Sequence, residues 1–200
     1  MRANGASYPL LSFPDPITGG KPVTEWSRSE ARAVLDWLIQ ILQPRTDAFV
    51  ERIGGSWAED RDRMLDRAEA NSRSLLRSPG FIEPGQGSQK IALRGRIIAY
   101  DDGPQLTAAG EALGVDLGLL LARYLVLDLG DAVRWETERH GRTHVSYNLP
   151  VLRGGNDAFD PMLIGRNVAY ALYNGSPSWE RLSALYATWA ELLRRTSSSR

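Results

Sequence analysis

Between Ser27 and Arg77 apolar residues recur every three or four positions, the period of a helix with one buried stripe. Ala31, Val34, Leu35, Leu38, Ile41 and Leu42 form the first such stripe. Ser27 and Glu30 stand at the spacing of a capping box, which predicts the helix start. Pro44 lacks a backbone donor and predicts an end or a kink. A short second helix then carries Phe49, Val50 and Ile53 to a stop at Gly54-Gly55. Ser56 and Glu59 repeat the capping spacing and open a third helix to about Arg77. Its inward face is Trp57, Met64, Leu65, Ala68, Leu75 and Leu76.

Residues 90–100 change period. Ile91, Leu93, Ile97 and Ala99 alternate as in a strand, although a short helix also fits the run. Pro104 suits the first position of a helix that extends to about Asp128. This helix is apolar around most of its circumference, so it is predicted to be central and buried. Gly110, Gly114 and Gly118 share one stripe of it, and each costs about 1 kcal/mol against alanine. Close approach of another helix or of the sheet would compensate that cost.

Alternation returns over 132–149. Val133, Trp135 and Thr137 alternate with Arg134, Glu136 and Glu138, and Val145, Tyr147 and Leu149 with His144, Ser146 and Asn148. A three-residue loop, Arg139-His140-Gly141, keeps both faces uniform and gives Gly141 the left-handed position. That register sets Trp135 opposite Val145 and Val133 opposite Tyr147, with Glu138 meeting Arg142 and Glu136 meeting His144. Asp160-Pro161 opens a helix that faces Ile164, Val168 and Leu172 inward and ends at Gly175. Ser176-Pro177 opens the last helix, with Leu182, Leu185, Tyr186, Trp189, Leu192 and Leu193 as its stripe. The fold class predicted is α+β: about six helices on a small antiparallel sheet centred on a β-hairpin at 132–149. Residues 1–25 read as an extended arm that packs through Tyr8, Leu10, Leu11 and Phe13. Residues 26–195 form one domain, and 196–200 a frayed tail.

Composition narrows the function classes. A chain of 200 residues buries roughly 70% of its unfolded surface, enough for a real core. The formal net charge is zero, which argues against a general affinity for nucleic acid or anionic membranes. With no cysteine there is no disulfide, thiolate metal site or cysteine nucleophile, and a cytoplasmic location fits. The most apolar stretch, Leu117 to Leu129, is too short to span a membrane and holds Arg123 and Asp128.

Catalytic candidates are few. His140 sits in a predicted turn and His144 on a predicted strand, so no helical His pair exists for a metal. Glu136, Glu138 and His144 form a solvated sheet face more simply than a metal site. Asp62 and Asp66 lie one turn apart among arginines that would neutralise them. Ser56 follows two glycines without the pattern of a nucleophile elbow. No cofactor and no metal is expected.

One stretch has a family likeness. Gly114-x-x-x-Gly118, Arg134-Trp135 and Asp160-Pro161-Met162-Leu163-Ile164-Gly165-Arg166 resemble an uncharacterised family of bacterial domains of unknown function. The likeness spans residues 106–193. A single Arg166 stands where that family would carry a basic pair. The resemblance implies a tryptophan-bearing hairpin and a proline-led helix, and brings no catalytic residues. Small bacterial proteins of this sort include immunity proteins encoded beside toxins. The expected function is therefore a bacterial, cytoplasmic protein-binding protein, such as an immunity protein that neutralises a toxin. Its partner is another protein, and its contact residues are Arg134, Glu136, Glu138, Arg142 and His144. The alternatives are a hydrolase using a carboxylate and His144, or a structural subunit of a larger assembly.

Overall fold

The described residues form five α-helices and three small antiparallel sheets, the predicted α+β class with one helix fewer. The structure is a computed structural model that describes residues 8–85, 87–93, 96–139, 144–175 and 181–195, with backbone alone in the strands between 87 and 102. Helix α1 (Arg28–Arg52) starts at the predicted capping box: the Ser27 hydroxyl accepts the Glu30 N–H, and the Glu30 carboxylate accepts the Ser27 N–H. Pro44 does not break it. The Thr46 hydroxyl donates to the carbonyls of Leu42 and Gln43, and Arg123 donates to Gln43 as well. The bond that Pro44 cannot donate, to the Gln40 carbonyl, does not end the helix, and the two predicted helices run as one.

Helix α2 (Arg61–Leu76) is capped by Asp60, whose carboxylate accepts the N–H groups of Asp62 and Arg63. The predicted Ser56 cap is instead a turn, closed from Glu59 N–H to the Ser56 carbonyl. Strands β1 (Ile82–Glu83), β2 (Gly87–Leu93), β3 (Arg96–Asp102) and β4 (Gln105–Leu106) come next. The run read as one strand at 90–100 is thus two, paired antiparallel from Gly87↔Asp102 to Leu93↔Arg96. Pairing of β4 with β1 delays helix α3 (Ala108–Leu129), which starts after Thr107 rather than at Pro104.

Helix α3 is the core, as its largely apolar circumference predicts. Leu113, Leu117, Leu120, Leu121 and Leu125 are fully buried, against Phe49, Met64, Leu65 and Leu76. Its glycines are covered from within the chain. A β-carbon on Gly118 would lie 1.8 Å from the Pro161 carbonyl oxygen, and one on Gly165 would lie 2.0 Å from that of Gly114. Helix α4 (Pro161–Asn174) therefore seats its Pro161/Gly165 ridge on the Gly114/Gly118 ridge of α3. The glycine stripe makes an internal contact, not a face for a symmetric partner. Helix α5 (Leu182–Arg194) closes the core with Leu182, Tyr186, Ala190 and Leu193. The predicted Ser176-Pro177 start lies outside the described residues, as does the tail at 196–200.

The predicted hairpin register is overturned. Strand β5 (Arg134–Thr137) pairs with β6 (Pro150–Gly154), which pairs in turn with β7 (Asp157–Phe159). Trp135 stands opposite Leu152, not Val145. Residues 144–149 are turns, with Tyr147 N–H on the His144 carbonyl and Leu149 N–H on that of Ser146. Asn148 takes a left-handed φ of 66° that no strand accepts. Its amide donates to the Val23 and Trp26 carbonyls, and its oxygen accepts from Arg139. His140, Gly141 and Arg142, the predicted loop and its flank, lie outside the described residues. Among the described residues no helix is long and apolar enough to cross a membrane.

Candidate functional site

Four charged side chains interrupt the apolar surface of α3, and each ties it to a neighbouring element. Glu111 pairs with Arg166 of α4 at 3.1 Å. Asp116 holds Arg45 of α1 and Tyr8 of the arm. Arg123 holds Asp47 of α1, and its guanidinium lies 3.9 Å from the centroid of the Trp57 ring. Asp128 holds Arg61 of α2 and Tyr186 of α5, with Arg61 4.2 Å from the centroid of that ring. Three of these ties share one chemistry. A carboxylate accepts from both a guanidinium and an aromatic N–H or O–H, while a guanidinium stacks on the ring.

The tie at Asp116 sits beside an open concavity of 280 Å³. Its walls are Pro9 from the arm and Ile41, Pro44, Ala48 and Phe49 from α1, with Arg45, Arg52 and Asp116 as its charged groups. The lining is otherwise apolar, as ligand pockets generally are. Arg45 donates its Nε to one Asp116 oxygen at 2.6 Å and one terminal nitrogen to the other at 3.1 Å. That terminal nitrogen also donates to the Pro9 carbonyl at 2.7 Å, so the pocket wall is clamped by the same guanidinium. The Arg52 guanidinium lies 5.2 Å from the centroid of the Tyr8 ring. Asp116 already binds Arg45 through both oxygens, so Arg52 is a cation beyond those bonds.

Burial raises the Asp116 carboxyl, opposed by its bonds to Arg45 and Tyr8. Burial and the neighbouring carboxylate also push the Tyr8 hydroxyl well above its ordinary value near 10. A raised folded-state value means that the unfolded chain releases this proton first as pH climbs past about 10. The tie's stability is complete below that pH and is lost above it. Tyr8→Phe should therefore lower stability at neutral pH by about 1.5–3 kcal/mol and flatten the alkaline decline. Urea melts between pH 7 and pH 11 measure both effects, and an unchanged alkaline slope would refute the assignment.

The residues predicted as a contact set separate. Glu136 and Glu138 do come together, but around Arg153, which donates Nε to Glu136 and Nη2 to Glu138. Glu138 is 3% exposed, so it has no surface to offer a partner. Arg134 is exposed and pairs along its own strand with Glu136 at 3.0 Å. His144 is exposed on the turn, and Glu136 bonds Arg153 rather than the expected His144, while the expected Glu138–Arg142 pair falls outside the described residues. Arg142 itself lies outside the described residues.

His144 is near one carboxylate. Asp160, 3% exposed, caps α4 by accepting the N–H groups of Met162 and Leu163 at 3.0 Å. The Ser146 hydroxyl and the His144 ring lie close to it. His144 Nδ1 accepts the Ser146 backbone N–H at 3.3 Å. Burial raises the Asp160 carboxyl, and the capping bonds oppose this. Among the described residues no three of His, Asp and Glu converge to hold a metal ion.

Sequence reasoning placed Tyr8 in the arm's packing face but missed Arg45, Arg52 and Arg153. The signal for Arg153 was a lone charge inside the apolar run Val151-Leu152-Arg153-Gly154. No family model matches this chain, and no curated protein and no solved structure matches it significantly.

Proposed function

We propose that this chain is a protein-binding protein of the immunity-protein kind, and that the pocket between the arm and α1 is where its partner docks. The observation that supports it is the concavity itself: apolar walls beside two guanidiniums, one more than Asp116 binds. Such a site fits an apolar side chain of the partner with a carboxylate next to it. The apolar group would fill the space between Pro9, Ile41 and Phe49, and the carboxylate would meet Arg52. Leu10, 60% exposed, follows Pro9 in the arm. The face of β5 is the weaker choice, because Arg153 already engages both of its glutamates.

Co-expression with the product of each neighbouring gene tests this reading. A stoichiometric complex is expected with one of them. Ala48→Trp, which fills the mouth, and Arg52→Glu, which reverses its charge, should each weaken that complex roughly tenfold or more. Ala48 is exposed, so the thermal stability of Ala48→Trp should stay near that of the parent, whereas Arg52→Glu also takes a cation from beside Tyr8 and Asp116 and is judged with its melt alongside. Failure to find any complex would refute the function. A complex indifferent to both substitutions would refute the site.

A further inference from the structure

The pocket between the arm and α1 also has the size of a small-molecule site. Its 280 Å³ lies just under the range of about 300–1,000 Å³ in which most ligand pockets fall. That is the liquid volume of about nine waters, room for a chain or ring of roughly seven to nine carbon atoms. Its walls are fixed before anything binds. Arg45 holds the Pro9 carbonyl, Tyr8 bonds Asp116 of α3, and the Tyr8 ring meets the Phe81 ring edge-on at 5.5 Å. A preformed cavity spares a ligand the cost of ordering its own site.

The charges around the cavity do not cancel. Arg45 and Arg52 against Asp116, the one acidic residue of the lining, leave a net charge of +1. Asp116 is saturated, because it accepts from Arg45 through both oxygens and from the Tyr8 hydroxyl. Arg45 commits Nε and one terminal nitrogen to Asp116 and Pro9. Its other terminal nitrogen makes no hydrogen bond among the described residues. Arg52 has the Tyr8 ring beside it, 5.2 Å to the centroid, and no carboxylate among the described residues pairs with it. One cation thus remains to be matched at the edge of an apolar cavity.

We propose that this pocket binds a small amphipathic monocarboxylate, an alkanoic or arylalkanoic acid of about eight carbons, as a free acid. Its apolar body would displace water from Pro9, Ile41, Ala48 and Phe49. Its carboxylate would meet Arg52, with the second terminal nitrogen of Arg45 as a further donor. A dianion would exceed the charge the site has to match, a neutral lipid would leave Arg52 unmatched, and a cation would be repelled. The inference shares the pocket with the protein-binding reading and rests on that pocket being a binding site, but it needs no protein partner.

The test is calorimetric titration of the full chain with octanoate. One molecule should bind saturably per chain. Affinity should rise roughly fourfold per methylene from butanoate to octanoate. 1-Octanol, with the same tail and no charge, should bind about tenfold more weakly, and octylammonium more weakly still. Ala48→Trp should abolish octanoate binding by filling the cavity. Arg52→Gln should weaken octanoate about tenfold and leave 1-octanol unchanged, because it removes the charge and keeps the walls. Circular dichroism checks that both variants are folded, and the headgroup series is read on the parent alone. Absence of saturable octanoate binding overturns the proposal. So does 1-octanol binding as tightly as octanoate, or octanoate binding that ignores both substitutions. Octanoate binding without any protein complex would remove the protein-binding reading and leave this one standing. A complex without octanoate binding would do the reverse.

Discussion

Gly118→Ala is expected to lower the melting temperature by about 6 °C or more. The added β-carbon would stand 1.8 Å from the Pro161 carbonyl oxygen and 2.7 Å from its carbon. Both are backbone atoms at the start of α4, so no rotamer change relieves the overlap. The helices must separate, which opens the packing of Leu117 and Leu121 on the same core. Overpacking of this kind costs about 3 kcal/mol or more, against roughly 1 kcal/mol gained in helix propensity. At about 2–4 °C per kcal/mol for a chain of this size, the loss is plain in a thermal melt.

Gly114→Ala is the control on the same stripe. Its β-carbon would lie 3.2 Å from the Arg166 α-carbon, a fit that a shift of a few tenths of an ångström relieves. Its net effect should stay within about 1 kcal/mol, because the helix propensity of alanine offsets the strain. If both variants melted alike, the close α3–α4 contact would be wrong. Calorimetry on the pair decides it.

Periodicity revealed those parts of the fold in which each element buries one stripe. The stripes of α1, α2, α4 and α5 were legible because one side of each helix meets the core and the other meets water. The need for a close neighbour at the glycines of α3 was legible for a related reason: bare backbone in a buried helix is costly unless something occupies the space. The sheet was misread because β6 is buried on both faces between β5 and β7, and a strand buried on both faces does not alternate. Val145, Tyr147 and Leu149 alternate in sequence by coincidence, within a segment that turns on Asn148.

The pocket was hidden for a different reason. Its parts are distant in sequence: Tyr8 and Arg45 reach Asp116 across 108 and 71 positions. Asp116 and Arg123 were visible as charges on an apolar helix. Which arm, helix or loop each one fastens depends on the packing of α3 against all of them. A pattern read along the chain carries no such information.

The largest electrostatic effect should come from Arg153→Met. Arg153 is 6% exposed in the middle strand of the sheet and donates to Glu136, Glu138 and the Asn156 carbonyl. Removing it takes the Arg153 guanidinium away from the Glu138 carboxylate, 3% exposed, and from Glu136. Breaking a buried pair from one side costs about 3–5 kcal/mol, because a desolvated charge loses a partner that held it. A further loss follows from the Asn156 carbonyl, which anchors the turn between β6 and β7. Glu138→Met alone should cost less, because Glu136 still neutralises Arg153. The double variant Glu138→Met/Arg153→Met should recover most of the loss, since an apolar pair of similar volume avoids the desolvation penalty. Urea denaturation of the parent, both single variants and the double variant gives the coupling energy. Additive losses would mean that the two side chains do not act as a pair. Recovery in the double variant would show that the sheet tolerates an apolar centre. Arg153 would then be required by the glutamates that surround it and not by the strand that carries it.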